Sequence, residues 1–528
     1  MPHSKETSPV AVPTPDYLAM APDWHVIDSL LAGTRGMRDA GEEFLPKEPE
    51  ESLGPRQPET GETRYDLRRK RSFLFDGYGQ TIKECVARPF AREVTTRGTL
   101  LPVLEPLTTN ADLAGSSLTT FLRAMFQDGA NYGIAHVLVE FQNTEGTQTA
   151  ADELEGRVRP YFVRIPPQSL IGWRYEHDEN GAVVITQMRW AEVRREADGP
   201  YGENMVNWIR VLNAASIDSD GLEVGGTWEE WREDDEDENE YRLMDSGPYL
   251  WPGRGLPIYT AYFEQTGIMS GSPPMLEMAW KNIEHWQRAS DYSMAVRFAL
   301  LILITATGLT NDEQKAGIRL GHGAFNTFTN HDAKLEFTEA TGGALEQGRK
   351  SKDEIKEEME ALGLRPFMRK AANTTATSQR SNDDKTEAPI QSWVREINST
   401  ALQAFKAAAK WLNLDTNDDF RVEVFNDFKL LDNQTDIVDA LIKMRSMTPH
   451  GIDHETFLEG MVMNGVLPDE TDIEEIIARI AEEQQAALET FGLNDPLDED
   501  DDTQEDGKDD PAQKRNGVTN ATAASSSA

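Results

Sequence analysis

Between Ser272 and Ile304 the chain reads SPPMLEMAWKNIEHWQRASDYSMAVRFALLILI, and no other stretch narrows the possible folds as much. Met275, Ala279, Ile283 and Trp286 recur at steps of three or four, which places them on one face of a helix. Pro273 and Pro274 suit the first turn of that helix, where a missing N–H costs nothing. Unbroken, about 32 residues rising about 1.5 Å each make a rod of roughly 48 Å. Its polar side mixes both charges, through Glu277, Lys281, Glu284, Arg288 and Asp291. Beyond Phe298 the run FALLILI turns β-branched and meets Thr305-Ala306-Thr307-Gly308, so helix is expected to give way to strand there. Spacing alone fits an ordinary long core helix equally well and names no function.

The chain around this rod is acidic. Its 528 residues carry 92 Asp and Glu against 52 Lys and Arg, a formal charge of −40, which repels nucleic acid over most of the surface. Any DNA contact is therefore expected to be weak, local, or of a kind that lets DNA slide past without sticking. With 38% hydrophobic residues, a chain of this length can bury a sizeable core in more than one subdomain. The lone Cys85 excludes a disulfide framework and a cysteine metal site, and fits an intracellular protein. The N-terminus lacks the apolar segment of a signal peptide. The longest apolar run, residues 298–304, falls far short of the roughly 20 residues that span a bilayer, so no membrane association is expected.

In chain order, residues 1–20 are Pro- and Ser-rich and read as loose. Trp24–Ala40 reads as a short amphipathic helix broken around Gly33 and Gly36, and residues 46–63 as loop. Tyr65–Ala91 carries one helical pattern whose basic cluster at 68–71 reads as a solvated face or an intersubunit ion-pair site, with phosphate contact as the alternative. Leu113–Gly133 is a second helix, with a Ser-rich cap and a glycine stop. Strands are expected at Ile134–Phe141, Tyr161–Ile165, Ser169–Tyr175, Val183–Val193 and Asn207–Leu212, with a hairpin turn at Asp178–Gly181. Glu229–Glu240 reads as a solvated acidic excursion. The first 260 residues thus predict helices followed by an antiparallel sheet.

After the long helix, Thr310–Leu320 is polar and Gly321–Phe337 has strand and turn character. Gly342–Gly363 is charged and helical, with Glu/Lys pairs at helical spacing. Leu364–Asn382 holds Arg365, Arg369, Lys370 and Arg380 without one Asp or Glu, and its small polar residues read as a mobile loop. Glu387–Leu412 is a long amphipathic helix with Pro389 in its first turn, and Phe420–Phe428 alternates as a strand. Helical patterns at Asn433–Met447, His454–Asn464 and Asp472–Thr490 form a C-terminal unit. Beyond Asn494 the composition cannot bury a core and reads as a disordered acidic tail.

Candidate chemistry is sparse. His450 and His454 stand four apart, but a zincin needs glutamate directly after the first histidine. Gly451 occupies that place, and Pro449 suggests a turn instead. In the acidic tail, Asp502, Asp506 and Gly507 hint at a calcium loop that Gln504 and Gln513 rule out as written. There is no phosphate-binding P-loop, no dinucleotide fingerprint and no nucleophile elbow. No metal, no cofactor and no catalytic residue is expected, and the chain reads as a non-enzyme.

The order of the pieces carries more. WHVIDSLLAG, RRKRSFLFDGYGQTIKECVARPF, FLRAMFQDGANYGIAHVLVEF, RPYFVRIPPQSLIGW and above all SPPMLEMAWKNIEHWQRASDY resemble the tailed-bacteriophage portal proteins, in the DUF4055 branch, as does GGALEQGRKSKDEIKEEMEALG. The resemblance runs from about Trp24 to Thr490; the acidic 229–240 stretch and the long tail depart from it. It implies an α+β portal-type subunit with an α/β wing, long stem helices, a small β-containing clip and a C-terminal helical crown. Projected onto this chain, residues 1–20 are a flexible N-terminus, 21–271 the wing and 272–301 the first stem helix. The clip is 302–340, the second stem helix 341–363 and the tunnel loop 364–383. Residues 384–432 are the long helix and return strand, 433–492 the crown and 493–528 an acidic tail.

The same resemblance implies a homo-oligomeric ring, of about a dozen copies, at one capsid vertex of the virion, assembled in the host cytoplasm. Double-stranded DNA would pass through its channel during packaging and ejection. Its partners would be the large terminase subunit, a head–tail adaptor and the major capsid or scaffold protein. Arg365, Arg369, Lys370 and Arg380 would then touch phosphate transiently from the tunnel loop, with ion pairs to neighbouring acidic helices as the alternative. Lys350, Lys352 and Lys356 are further candidates to line the channel. Two rival readings remain: an acidic scaffold or adaptor that forms no ring, and a hydrolase built on His450 and His454.

Overall fold

A computed structural model describes residues 8–49, 51, 61–142, 159–217, 223–234, 240–300, 303–318, 327–330, 332–338, 343–359, 361–362, 376–426, 441–446, 452–463, 466–467 and 473–490. The chain divides into two units, Met1–Phe428 and Lys429–Ala528. The fold is α+β.

The first unit opens with helices α1 (Pro15–Leu31) and α2 (Gly33–Ala40). Pro15 occupies the first turn of α1, and Met20, Trp24, Ile27 and Leu30 are buried along it. Residues 8–20 are therefore ordered rather than loose, because the chain ahead of α1 has apolar partners. Val10, Ala11 and Tyr17 pack against the buried Ile171, Ile209 and Val211. The chain turns between α1 and α2 at Gly33, whose φ of 68° suits glycine, and runs on through Gly36 unbroken.

The pattern at 65–91 resolves into two helices, α3 (Arg64–Arg71) and α4 (Gly77–Ala87). Thr63 and Asp66 form a reciprocal cap at the start of α3. Asp76 caps α4 by accepting from the Gly79 N–H at 3.0 Å. Strand β1 (Thr95–Arg97) follows, then α5 (Leu118–Tyr132), which starts on the Ser117 cap and stops at Gly133, with φ 85°.

Strand β2 (Ile134–Phe141) stands at its expected bounds and is buried along almost its whole length. It is the centre of an antiparallel sheet, flanked by β3 (Pro160–Ile165) and the later β9. A second, five-stranded antiparallel sheet contains β4 (Leu170–His177), β5 (Val183–Asp198), β6 (Gly202–Asn213), β7 (Gly226–Glu233) and β8 (Tyr241–Tyr249), in that spatial order. The turn at Asp178–Gly181 forms, with the Gly181 N–H donating to the Asp178 carbonyl at 2.9 Å. The acidic stretch is not a solvated excursion over 229–233, because those residues are β7, paired on both sides. Glu230 stands opposite Arg210 across the strands and accepts two hydrogen bonds from Arg194 at 2.9 Å. Arg232 pairs with Glu196 at 3.0 Å. Cross-strand arginines give these glutamates a place in a sheet. Residues 235–239 lie outside the described residues.

Strand β9 (Ile258–Tyr262) closes the three-stranded sheet, and the long helix α6 (Leu276–Leu300) then begins. Pro273 and Pro274 precede α6 rather than occupying its first turn. The handover to strand occurs as expected: β10 (Leu303–Thr307) pairs antiparallel with β11 (Lys334–Thr338), and a short helix α7 (Asn311–Ala316) lies between them. Helix α8 (Gly343–Met359) returns to pack on α6.

Helix α9 (Ala376–Trp411) is longer than the sequence indicates. It begins within the stretch read as loop, and Pro389 lies inside it rather than in its first turn. From Ile390 onward its buried face, including Trp393, Ile397 and Phe405, lies on the three-stranded sheet and α5. Trp393 stacks on Phe263 at 5.0 Å and donates to the Phe263 carbonyl at 3.2 Å. That packing holds the helix across its proline. Strand β12 (Arg421–Glu423) pairs with β1.

In the second unit, residues 441–445 are helical, followed by α10 (His454–Met463) and α11 (Ile473–Thr490), within the three expected helical patterns. Among the described residues, no helix is long and apolar enough to cross a membrane.

Candidate functional site

The part of the chain that departs most from a simple α+β core is the α6–β10–β11–α8 excursion. With 25 residues, α6 extends about 37 Å. Its first half is core: Met278, Ala279, Ile283 and Trp286 are buried. Asn282 is fully buried and bridges to the start of α4, accepting from the Tyr78 N–H at 2.8 Å and donating to the Phe75 carbonyl just ahead of that helix at 2.9 Å. Helix α8 seats Ile355 and Met359 against this half. Gly348 allows close approach, since a Cβ there would stand 3.0 Å from the Tyr292 ring. Lys281 ties the seam from outside, reaching Glu358 at 2.8 Å and Glu284 at 3.0 Å.

The three lysines singled out on α8 take different positions. Lys350 is exposed and reaches Glu346 at 3.7 Å. Lys352 lies over the Tyr292 ring at 5.1 Å, and Lys356 over the Phe75 ring at 5.0 Å, both half-buried. Between them sits His285, buried, with its ring 5.4 Å from Phe75. Its Nδ1 has no hydrogen-bond partner among the described residues. Burial first, then the two ammonium groups, hold this imidazole below its ordinary pKa, against the opposing pull of Asp353.

A second feature joins α6 to α3. Arg68 is buried rather than part of a solvated face, and pairs with the equally buried Glu51 at 2.8 Å. It also donates to Glu51 through Nη2 at 2.9 Å, to the Pro46 carbonyl, and through Nη1 to Asp291 of α6 at 3.3 Å. Burial lifts the Asp291 carboxyl above its ordinary pKa, and Glu51 adds to this, while Arg68 and Arg288 pull it down. The Ser72 and Ser290 hydroxyls meet 2.9 Å apart beside it. Arg69 approaches Asp66 at 4.0 Å, Lys70 pairs with Glu62, and Arg71 is exposed, so the rest of the cluster keeps a solvated character.

Residues 274–412, from the turn before α6 to the end of α9, match one family model, described as a domain of unknown function, DUF4055. No curated protein matches the chain significantly. Among solved structures, a chain of "Virion of native gene transfer agent (GTA) particle" is similar at 12% identity and a TM-score of 0.38, over 73% of this chain and 89% of that one. A chain of "Neck of empty GTA particle computed with C6 symmetry" is similar at 10% identity and a TM-score of 0.39, over 74% of this chain and 90% of that one.

Of the remaining residues singled out from sequence, Arg365, Arg369 and Lys370 lie outside the described residues. Arg380 falls on the first turns of α9. His450 and the acidic-tail residues Asp502, Gln504, Asp506, Gly507 and Gln513 also lie outside. His454 starts α10, and its ring nitrogens sit within 2.7 Å of the Arg445 guanidinium, a cation where a second cation would have to bind. The Arg68–Glu51–Asp291 cluster has no signal in the linear sequence. Arg68 and Asp291 are 223 residues apart, and no linear pattern links them.

Proposed function

We propose that this chain is a portal-type subunit of a phage-like virion. Copies form a ring of about a dozen around a channel through which double-stranded DNA is packaged and ejected. The observation that carries this reading is the excursion within residues 274–412. One long helix leaves the core, a two-stranded β unit follows, and a second helix packs back along the first. In a ring of copies, α6 and α8 serve as the stem and the β10–β11 region as the clip, which docks the terminase and then the head–tail adaptor. The helix α9 behind them and the helices of the second unit take the places of the long helix and the crown. The role is structural, and no catalytic residue is assigned.

The charge of −40 supports the same reading, because every phosphate neutralised by Lys or Arg adds salt-sensitive affinity that would stall translocation. The acid-free segment holding Arg365, Arg369, Lys370 and Arg380 is where brief phosphate contacts would be made, with Lys350 as the exposed stem candidate. An Arg369→Glu/Lys370→Glu variant is expected to assemble as wild type does and to package or retain DNA poorly in a packaging assay. Normal packaging by assembled variant particles refutes the assignment.

A further inference from the structure

The basic cluster at 68–71 acquires a partner that the sequence does not show. Where α3 ends against the second half of α6, a small cleft is lined by Arg68, Arg71, Ser72, Ser290, Ser293 and Arg297. Arg68 is already neutralised, since Glu51 and Asp291 are both held by it. Arg71 and Arg297 are exposed, and among the described residues no carboxylate pairs with either. In a chain with 92 acidic residues, two guanidiniums at one cleft without an acid between them stand out. Ser293 is exposed at the same cleft, and its hydroxyl adds a hydrogen-bond donor.

We infer that this cleft binds a tetrahedral oxyanion of the phosphate class, either free in solution or carried on a nucleic-acid backbone. Guanidinium groups present paired N–H donors that match the spacing of phosphate oxygens. Two of them on separate helices, with a serine hydroxyl lining the same cleft, can hold one phosphate by several charged hydrogen bonds. The inference is independent of the ring reading, because one chain supplies every residue of the cleft.

The test is titration calorimetry on the full chain at low ionic strength, first with inorganic phosphate and then with a short DNA duplex. Wild type and the remote control Arg195→Gln are expected to bind phosphate alike. Arg71→Gln and Arg297→Gln should each weaken it about tenfold, as loss of a charged hydrogen-bond donor does. The double variant should bind with no measurable affinity. Both arginines are exposed, so these variants are expected to keep the wild-type melting temperature. Duplex binding lost in the same double variant assigns the phosphate to a nucleic acid, and phosphate binding without duplex binding assigns a free oxyanion. Equal phosphate binding by wild type and double variant overturns the inference. So does binding of an acidic peptide with the sequence of residues 496–510 that phosphate fails to displace.

Discussion

Arg68 offers the sharpest test of how α6 is anchored to the rest of the first unit. Its guanidinium and the Glu51 carboxylate are each 4% exposed and meet at 2.8 and 2.9 Å, with Asp291 at 3.3 Å. Replacing Arg68 by methionine keeps the volume but strands a buried carboxylate, which costs about 3–5 kcal/mol. Asp291 is half exposed and can rehydrate, so it adds little to that cost. Removing both charges as Arg68→Met/Glu51→Leu eliminates the stranded group, and the double variant is expected within about 2 kcal/mol of wild type. Urea unfolding followed by the fluorescence of buried Trp24 and Trp286 reads all four members of the cycle. A coupling energy of at least about 2 kcal/mol is expected. Additive losses, with the double variant worse than either single, would show that the pair is not the anchor and refute the reasoning.

Three further outcomes follow from particular contacts. At Gly133 a Cβ would stand 2.1 Å from the Ser272 carbonyl oxygen, and φ is 85°, so Gly133→Ala should cost more than about 2 kcal/mol and sharply lower the soluble yield. Gly115→Ala, at φ 95° with nothing near its Cβ, should show only the smaller backbone cost when both variants are compared by thermal melts. Burial raises the Asp128 carboxyl from 3.8 to about 6, against the Arg164 hydrogen bonds at 2.7 and 2.8 Å. A raised carboxyl pKa means that the folded state holds the proton more tightly. This contribution is full below 3.8 and is lost as pH rises through about 6. The melting temperature of Asp128→Asn relative to wild type should therefore climb between about pH 4 and 6 and then level off; a flat difference across that window contradicts the assignment.

The sequence makes α6 legible because one apolar face recurs at 3.6-residue spacing through Met275, Ala279, Ile283 and Trp286, and β2 because a short apolar run is bounded by a glycine. Strand β7 is illegible for the opposite reason. Glu230 looks solvated until the fold sets Arg194 and Arg210 beside it, and neither arginine is near in sequence. Pro389 misleads because proline is favoured in first turns, whereas here the contacts of Trp393 and Ile397 carry the helix through it. The pattern at 65–91 keeps a helical period across residues 72–76, where the chain leaves the helix and turns at Phe75–Gly77 instead. Lys352 and Lys356 look like free charges, but each lies over an aromatic ring supplied from another part of the chain. Local periodicity survives folding, and pairings between distant residues have no local signal.

The most direct test of the central proposal is the mass and symmetry of the purified protein, by light scattering and negative-stain imaging, alone and co-produced with the virion's scaffold protein. Closed rings of about a dozen subunits with a central hole wide enough for duplex DNA are expected. A species that stays monomeric or dimeric under both conditions would contradict the proposal.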